Sequence, residues 1–213
     1  MSKSVPPKPT RRTYHHGDLR QALVAAANCI LKDEGLDALT LRAAAQRAGV
    51  SHAAPAHHVG SLQGLLTAVA AQGFVHFHAS LETAMDAAPT SPLERLRAAG
   101  RAYVGFAVDN PALIQLMFSG SRLDWSDPDL CAASDRAYRQ LTDIVRPAAE
   151  RLGASGEEDI RELALMVWSS VHGYAHLAIS GALDRGPAGA RPPIPDLPGL
   201  LFGRWKPGGG VRI

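Results

Sequence analysis

Residues 40–66 read TLRAAAQRAGVSHAAPAHHVGSLQGLL, and these residue types predict, in order, a helix, a tight turn, a short helix, a bend and the start of a long helix. Thr40 stands as the N-cap of a helix over residues 41–48. Ala45 is small where two helices would cross, Gly49 can take the positive φ that ends the first of them, and Val50 follows as an apolar plug. Ser51 is placed to cap the second helix, and Pro55 falls in its first turn, where a missing N–H is tolerated. Gly60 ends that short element and Ser61 caps the next. Two helices joined by a short Gly-containing turn form the helix-turn-helix arrangement, whose second helix enters the major groove of DNA. A buried helical corner uses the same residues, so the flanks decide between the two.

Upstream, Leu19, Leu23, Ala26, Ala27, Ile30 and Leu31 recur at helical spacing, giving one stripe over residues 17–34 that Gly35 stops. The stripe is expected to lie across the two short helices, with Leu36 and Leu39 folded inward, so that a three-helix head results. Downstream a long helix is expected over residues 62–87, weakened at Gly64 and bent at Gly73. Ser91 and Pro92 start another, which the Asn110–Pro111 pair breaks. A short apolar piece at 112–118, a polar loop, and helices over 129–152 and 157–183 complete the body. No segment alternates with period two for long enough to suggest a strand. The expected fold class is all-α, a helix-turn-helix head on a larger helical domain.

By composition the 213 residues divide into a basic arm at 1–13, the head at 14–62, a body at 63–185 and a Gly/Pro-rich tail at 186–213. The arm cannot bury enough apolar surface to order itself, and its Lys3, Lys8, Arg11 and Arg12 can reach DNA phosphates. Residues 1–63 hold eight Lys/Arg against four Asp/Glu, residues 64–184 nine against fifteen, and residues 185–213 five against one. A basic head on an acidic body suits a chain that meets nucleic acid with its head alone. Cys29 and Cys131 lie far apart without a CxxC, which points to a reducing compartment and no disulfide framework. No apolar leader or long uncharged apolar run occurs, so a cytoplasmic location without membrane contact is expected. In the tail, Leu200, Leu201, Phe202 and Trp205 are candidates to dock on the body, with the rest mobile.

Three runs in order, HGDLRQALVAAANCILKDEG, LDALTLRAAAQRAGVS and AAPAHHV followed by S-x-x-x-LL, make the chain resemble the TetR family of bacterial transcriptional regulators over residues 14–66. A second run, WSSVHGYAHL at Trp168–Leu177, is similar to the Trp-His-Gly signature of one group of TetR-like ligand-binding domains. The resemblance implies a DNA-binding head, a helical domain that forms homodimers and binds a small effector, and repression of nearby genes. Carried across by position, the DNA-facing residues fall on Thr40, Arg42, Ser51, His52, Ala53, His57 and His58. Arg42 and Thr40 suit phosphates, and His52 and His57 suit base edges or phosphates. The family commonly has Tyr where Ala56 stands, Phe at Val59 and Lys at Leu62. Loss of the Tyr and Lys contacts removes about 1–3 kcal/mol of grip on the backbone, judged from charge-assisted hydrogen bonds.

In the body, the resemblance implies that Tyr103, Phe106, Met117, Phe118, Trp168 and His172 line an apolar effector cavity. The sequence shows no buried carboxylate or Arg pair that would name the ligand's charge, so an apolar or aromatic small molecule is expected. On a helical wheel Ser169, His172, Gly173, His176 and Ser180 share one small, polar side opposite Val167, Val171, Tyr174, Ala175 and Ala178. That side suits close approach of a second copy, with Ser169, Gly173, His176 and Ser180 at the dimer interface. His172 and His176 at i and i+4 also form half of many zinc sites, but Gly173 and Tyr174 stand where a hydrolytic site carries its Glu. No Ser-His-Asp or Cys-His arrangement is visible, so no catalytic residue, metal or cofactor is assigned. The partners expected are a double-stranded DNA operator, a small effector and a second copy of the chain. The main rival is a ligand-binding protein of the same fold that has lost DNA binding through Ala56 and Leu62.

Overall fold

The structure is a computed structural model and describes residues 16–51, 54–151, 153–154, 156–185 and 193–196. These form the helices α1 (His16–Glu34), α2 (Leu41–Arg47), α3 (Ala54–His58), α4 (Leu62–Asp86), α5 (Pro92–Asp109), α6 (Pro111–Met117), α7 (Pro128–Glu150) and α8 (Glu157–Ile179), with a 3-10 turn at Ala182–Arg185. No strand occurs among the described residues. The chain is all-α, as expected. The arm, His52, Ala53, and Leu200, Leu201, Phe202 and Trp205 of the tail lie outside the described residues.

Local chemistry sets the helix ends. The Ala43 N–H donates to Thr40 Oγ1 at 3.0 Å, which caps α2. Its other end closes by paired bonds, Val50 N–H to the Ala45 carbonyl at 3.0 Å and Gly49 N–H to the Gln46 carbonyl at 3.1 Å, with Gly49 at φ +68°. That is the Schellman motif, and it needs a residue free to adopt positive φ. The Gly64 N–H donates to Ser61 Oγ at 3.0 Å and starts α4. Pro92, Pro111 and Pro128 open α5, α6 and α7, where the ring costs no hydrogen bond.

Two glycines of α4 behave differently from the sequence expectation. The helix runs through Gly73 without interruption. A Cβ there would stand 2.9 Å from Met117 Sδ and 3.0 Å from Leu113 Cδ1, so Gly73 serves the close approach of α6 rather than a bend. A Cβ on Gly64 would overlap the Val59 carbonyl oxygen, so this glycine is what lets the end of the α3 segment lie against the first turn of α4.

One core runs from head to body. Leu23, Ile30 and Leu31 of α1 join Leu65 and Val69 of α4, Ile114 of α6, Leu130 of α7 and Val171 of α8. A second cluster around Leu96, Val145, Ile160 and Leu163 fills the far end, between α5, α7 and α8. Polar bonds tie the same parts together: Asn28 Nδ2 of α1 donates to Gln72 Oε1 of α4 at 2.7 Å, and the Asp124 N–H donates to the buried Thr67 Oγ1 at 3.0 Å. The head is thereby anchored along the helix whose later turns border the body's cavity.

Candidate nucleic-acid interface and effector cavity

The two arginines of α2 are used differently. Arg47 reaches back to the end of α1, where Nη1 donates to Asp33 Oδ2 at 2.7 Å and Nη2 to Glu34 Oε1 at 2.5 Å. The hydrogen bond to Asp33 is the main reason its guanidinium is held above its ordinary pKa. Sequence reasoning did not single out Arg47; the acidic pair just before Gly35 was the available signal. Arg42, by contrast, is exposed in the first turn of α2 beside the exposed Thr40. The Thr40 oxygen accepts the capping bond, which leaves its own proton to donate outward. Ser51 and His57 are exposed and His58 is half-buried. Leu62, at 36% exposure, is an apolar first residue of α4.

The body encloses a cavity of about 550 Å³ bordered by α4, α5, α7 and α8. Of the six residues expected to line it, Tyr103, Phe118 and Trp168 do so. Phe106 is turned onto Phe77, edge to face with centroids 5.4 Å apart. Met117 is fully buried against Gly73, because the missing Cβ draws it there. His172 stands behind the wall, with Nδ1 2.5 Å from Tyr103 Oη and its ring 4.8 Å from that of Phe118. Its next neighbour along α8 is His176, ring centroids 4.4 Å apart. Among the described residues no group of three or more His, Cys, Asp or Glu converges on a common point.

One ion pair lies in the lining of this cavity. Arg97 of α5 lines the cavity together with Pro193–Asp196, and Arg97 binds Asp196 through two parallel bonds of 2.7 and 2.8 Å. The partners are 99 residues apart in sequence, which is why no local pattern exposes them. Among the described residues of the tail, Pro193–Asp196 lies against the body.

The outward side of α8 carries Ser169, Gly173, His176 and Ser180, all exposed. Leu165, Met166 and Leu177 on the same helix are 54%, 41% and 48% exposed, an apolar surface unusual for an outer helix. Among the described residues no helix is long and apolar enough to cross a membrane.

Fold and sites together define a class: a helix-turn-helix head joined by one long helix to a cavity-bearing helical body. Residues 96–192, which include the Trp-His-Gly run, match the family model of the tetracyclin repressor-like C-terminal domain. A solved protein of unknown function from Rhodococcus sp. RHA1 is 34% identical, with 90% of this chain and 97% of that one covered and a TM-score of 0.73. The TetR family regulator PfmR from Thermus thermophilus is 25% identical over 73% of this chain and 83% of its own, TM-score 0.55. A possible TetR family regulator from Streptomyces coelicolor A3(2), at 22% identity, 82% and 77% coverage and TM-score 0.57, shares the fold. No curated protein sequence matches the chain. The chain belongs to the TetR family of transcriptional regulators, whose members are not enzymes.

Proposed function

We propose that this regulator is a cytoplasmic DNA-binding repressor that leaves its operator when a small effector with an apolar body fills the cavity. The observation that carries the reading is the course of α4. Ser61 and Gly64 hold its first turn at the helix-turn-helix corner, and Phe74, Phe77 and Leu81 of the same helix line the cavity. A ligand that displaces those three side chains moves the helix on which the head is packed, which is the differential contact an allosteric effector needs.

The head, residues 14–62, contributes Thr40, Arg42, Ser51, His52, Ala53, His57 and His58 to DNA, with Arg42 and Thr40 on phosphates. The basic arm at 1–13 adds phosphate contacts. Within the body, residues 63–185, Tyr103, Phe118 and Trp168 touch the effector, and Phe106, Met117 and His172 support that wall. Two copies associate through Ser169, Gly173, His176 and Ser180 of α8, with Leu165, Met166 and Leu177 supplying apolar area. The rival reading, a ligand binder without DNA affinity, draws on Ala56 and Leu62.

Binding of the full chain to a duplex from its own upstream region, titrated with salt, separates the two. The regulator reading expects an affinity that falls steeply and log-linearly as salt rises. Binding to that duplex no tighter than to an unrelated one supports the rival.

A further inference from the structure

The segment Pro193–Asp196 belongs to no helix, yet it is held against the body at two points. Ile194 is half-buried against the main core. Asp196 meets Arg97 fork to fork, Arg97 Nε donating to Oδ1 at 2.8 Å and Nη2 to Oδ2 at 2.7 Å. The remaining Arg97 Nη1 donates to Glu94 Oε1 at 2.6 Å. Arg97 and all four residues of the segment line the cavity, whose other walls are largely aromatic and aliphatic, among them Phe77, Leu81, Leu141 and Trp168.

A guanidinium beside apolar walls is costly to leave unpaired, and its planar donor fork is matched best by a planar carboxylate. In the free protein the chain supplies that carboxylate itself, with an apolar side chain two residues before it. This pairing of an apolar group with a carboxylate is the chemistry of a small amphiphilic acid. The charged groups of the lining are Arg97, Arg101, Asp135 and Asp196. Displacing Asp196 leaves Arg97 with Glu94 on Nη1 alone, so its Nε and Nη2 are freed side by side for another planar carboxylate.

We propose that the effector is an amphiphilic carboxylate whose head group replaces Asp196 on Arg97 while its apolar body fills the space between α4, α5, α7 and α8. The proposal rests on the cavity being the effector site. Pro193–Asp196 then acts as a tethered competitor, present at an effective concentration in the millimolar range by virtue of its attachment. A free acid wins only by adding apolar burial that Ile194 does not supply. A neutral molecule cannot replace the carboxylate and gains nothing from displacing Asp196.

The test uses the full chain and the intrinsic fluorescence of Trp125 and Trp168, both in the lining. Octanoate, decanoate and dodecanoate are titrated below their micelle-forming concentrations, in parallel with octanol, decanol and dodecanol. Asp196→Asn removes the competing charge and is expected to tighten carboxylate binding about tenfold while leaving the alcohols within about twofold. Arg97→Gln is expected to erase the preference for the acid over its alcohol. An Asp196→Asn protein whose carboxylate-to-alcohol affinity ratio equals that of wild type overturns the proposal. If alcohols bind both forms and acids bind no better, the proposal falls and the effector-cavity reading stands. If no acid or alcohol binds either form, both fall.

Discussion

Tyr103 Oη lies 2.5 Å from Nδ1 of His172. Burial pushes the Tyr103 phenol well above its usual range, partly offset by a hydrogen bond from the Trp168 indole. Burial, and secondarily the charge of His176, pushes the His172 imidazole down. Both groups are therefore neutral near pH 7, the phenol O–H donates, and His172 carries its own proton on Nε2. Trp168 and His172 stand one turn apart on α8, so the W-x-x-x-H spacing aims both at one buried tyrosine of α5. The Trp-His part of the signature is thereby a clamp between α5 and α8 along the cavity wall.

The clamp makes stability pH-dependent. His172 in the folded chain titrates below its ordinary value of 6.5, so the unfolded chain takes up a proton first. The stabilisation is complete above that value and is lost as pH falls through the folded pKa. Urea midpoints measured from pH 8 to pH 5 are expected to drop further in wild type than in His172→Asn, which keeps an acceptor but does not titrate. Identical pH profiles contradict this.

Tyr103→Phe keeps the ring and removes the hydroxyl, leaving two half-buried polar partners, His172 and Trp168, unmatched. A loss of about 1–3 kcal/mol in unfolding free energy is expected. Denaturant unfolding of Tyr103→Phe, His172→Phe and the double variant should show non-additive costs, since all three disrupt one bond.

The two α4 glycines should respond unequally to alanine. Gly64→Ala drives a Cβ into a backbone oxygen and should cost about 1–3 kcal/mol. Gly73→Ala meets only the ends of Met117 and Leu113 and gains helix propensity of about 1 kcal/mol, so it should stay within about 1 kcal/mol of wild type. Thermal midpoints by circular dichroism check both.

Arg42 and Arg47 should separate in DNA binding. Arg42→Ala should weaken binding to any duplex and lower the slope of log affinity against log salt by about one. Arg47→Ala should leave that slope unchanged and lower the thermal midpoint, because its fork is already committed to Asp33 and Glu34.

Gly173→Arg places a long charged side chain on the exposed side of α8, where a Cβ would meet nothing in the monomer. Sedimentation should show a protein of half the wild-type mass with an unchanged helical spectrum.

The head is legible in the sequence because the signals that set its helix ends are local. Thr40, Gly49, Gly60 and Ser61 each act on neighbours within a turn or two, and propensity and capping report on that range. What escapes is contact between distant parts of the chain. Met117 reads as a cavity residue until Gly73 offers it a closer berth. Arg97 and Asp196 have no pattern in common, and only the folded body brings a tail carboxylate to the cavity of a helix nearly a hundred residues earlier.

The central claim is that the corner from Thr40 to Leu66 reads DNA. Selection from a random duplex pool with the full chain, followed by sequencing of the bound fraction, tests it most directly. Two copies related by a two-fold axis should enrich a palindromic site with half-sites one helical turn or a multiple apart. A bound fraction indistinguishable from the starting pool contradicts the claim.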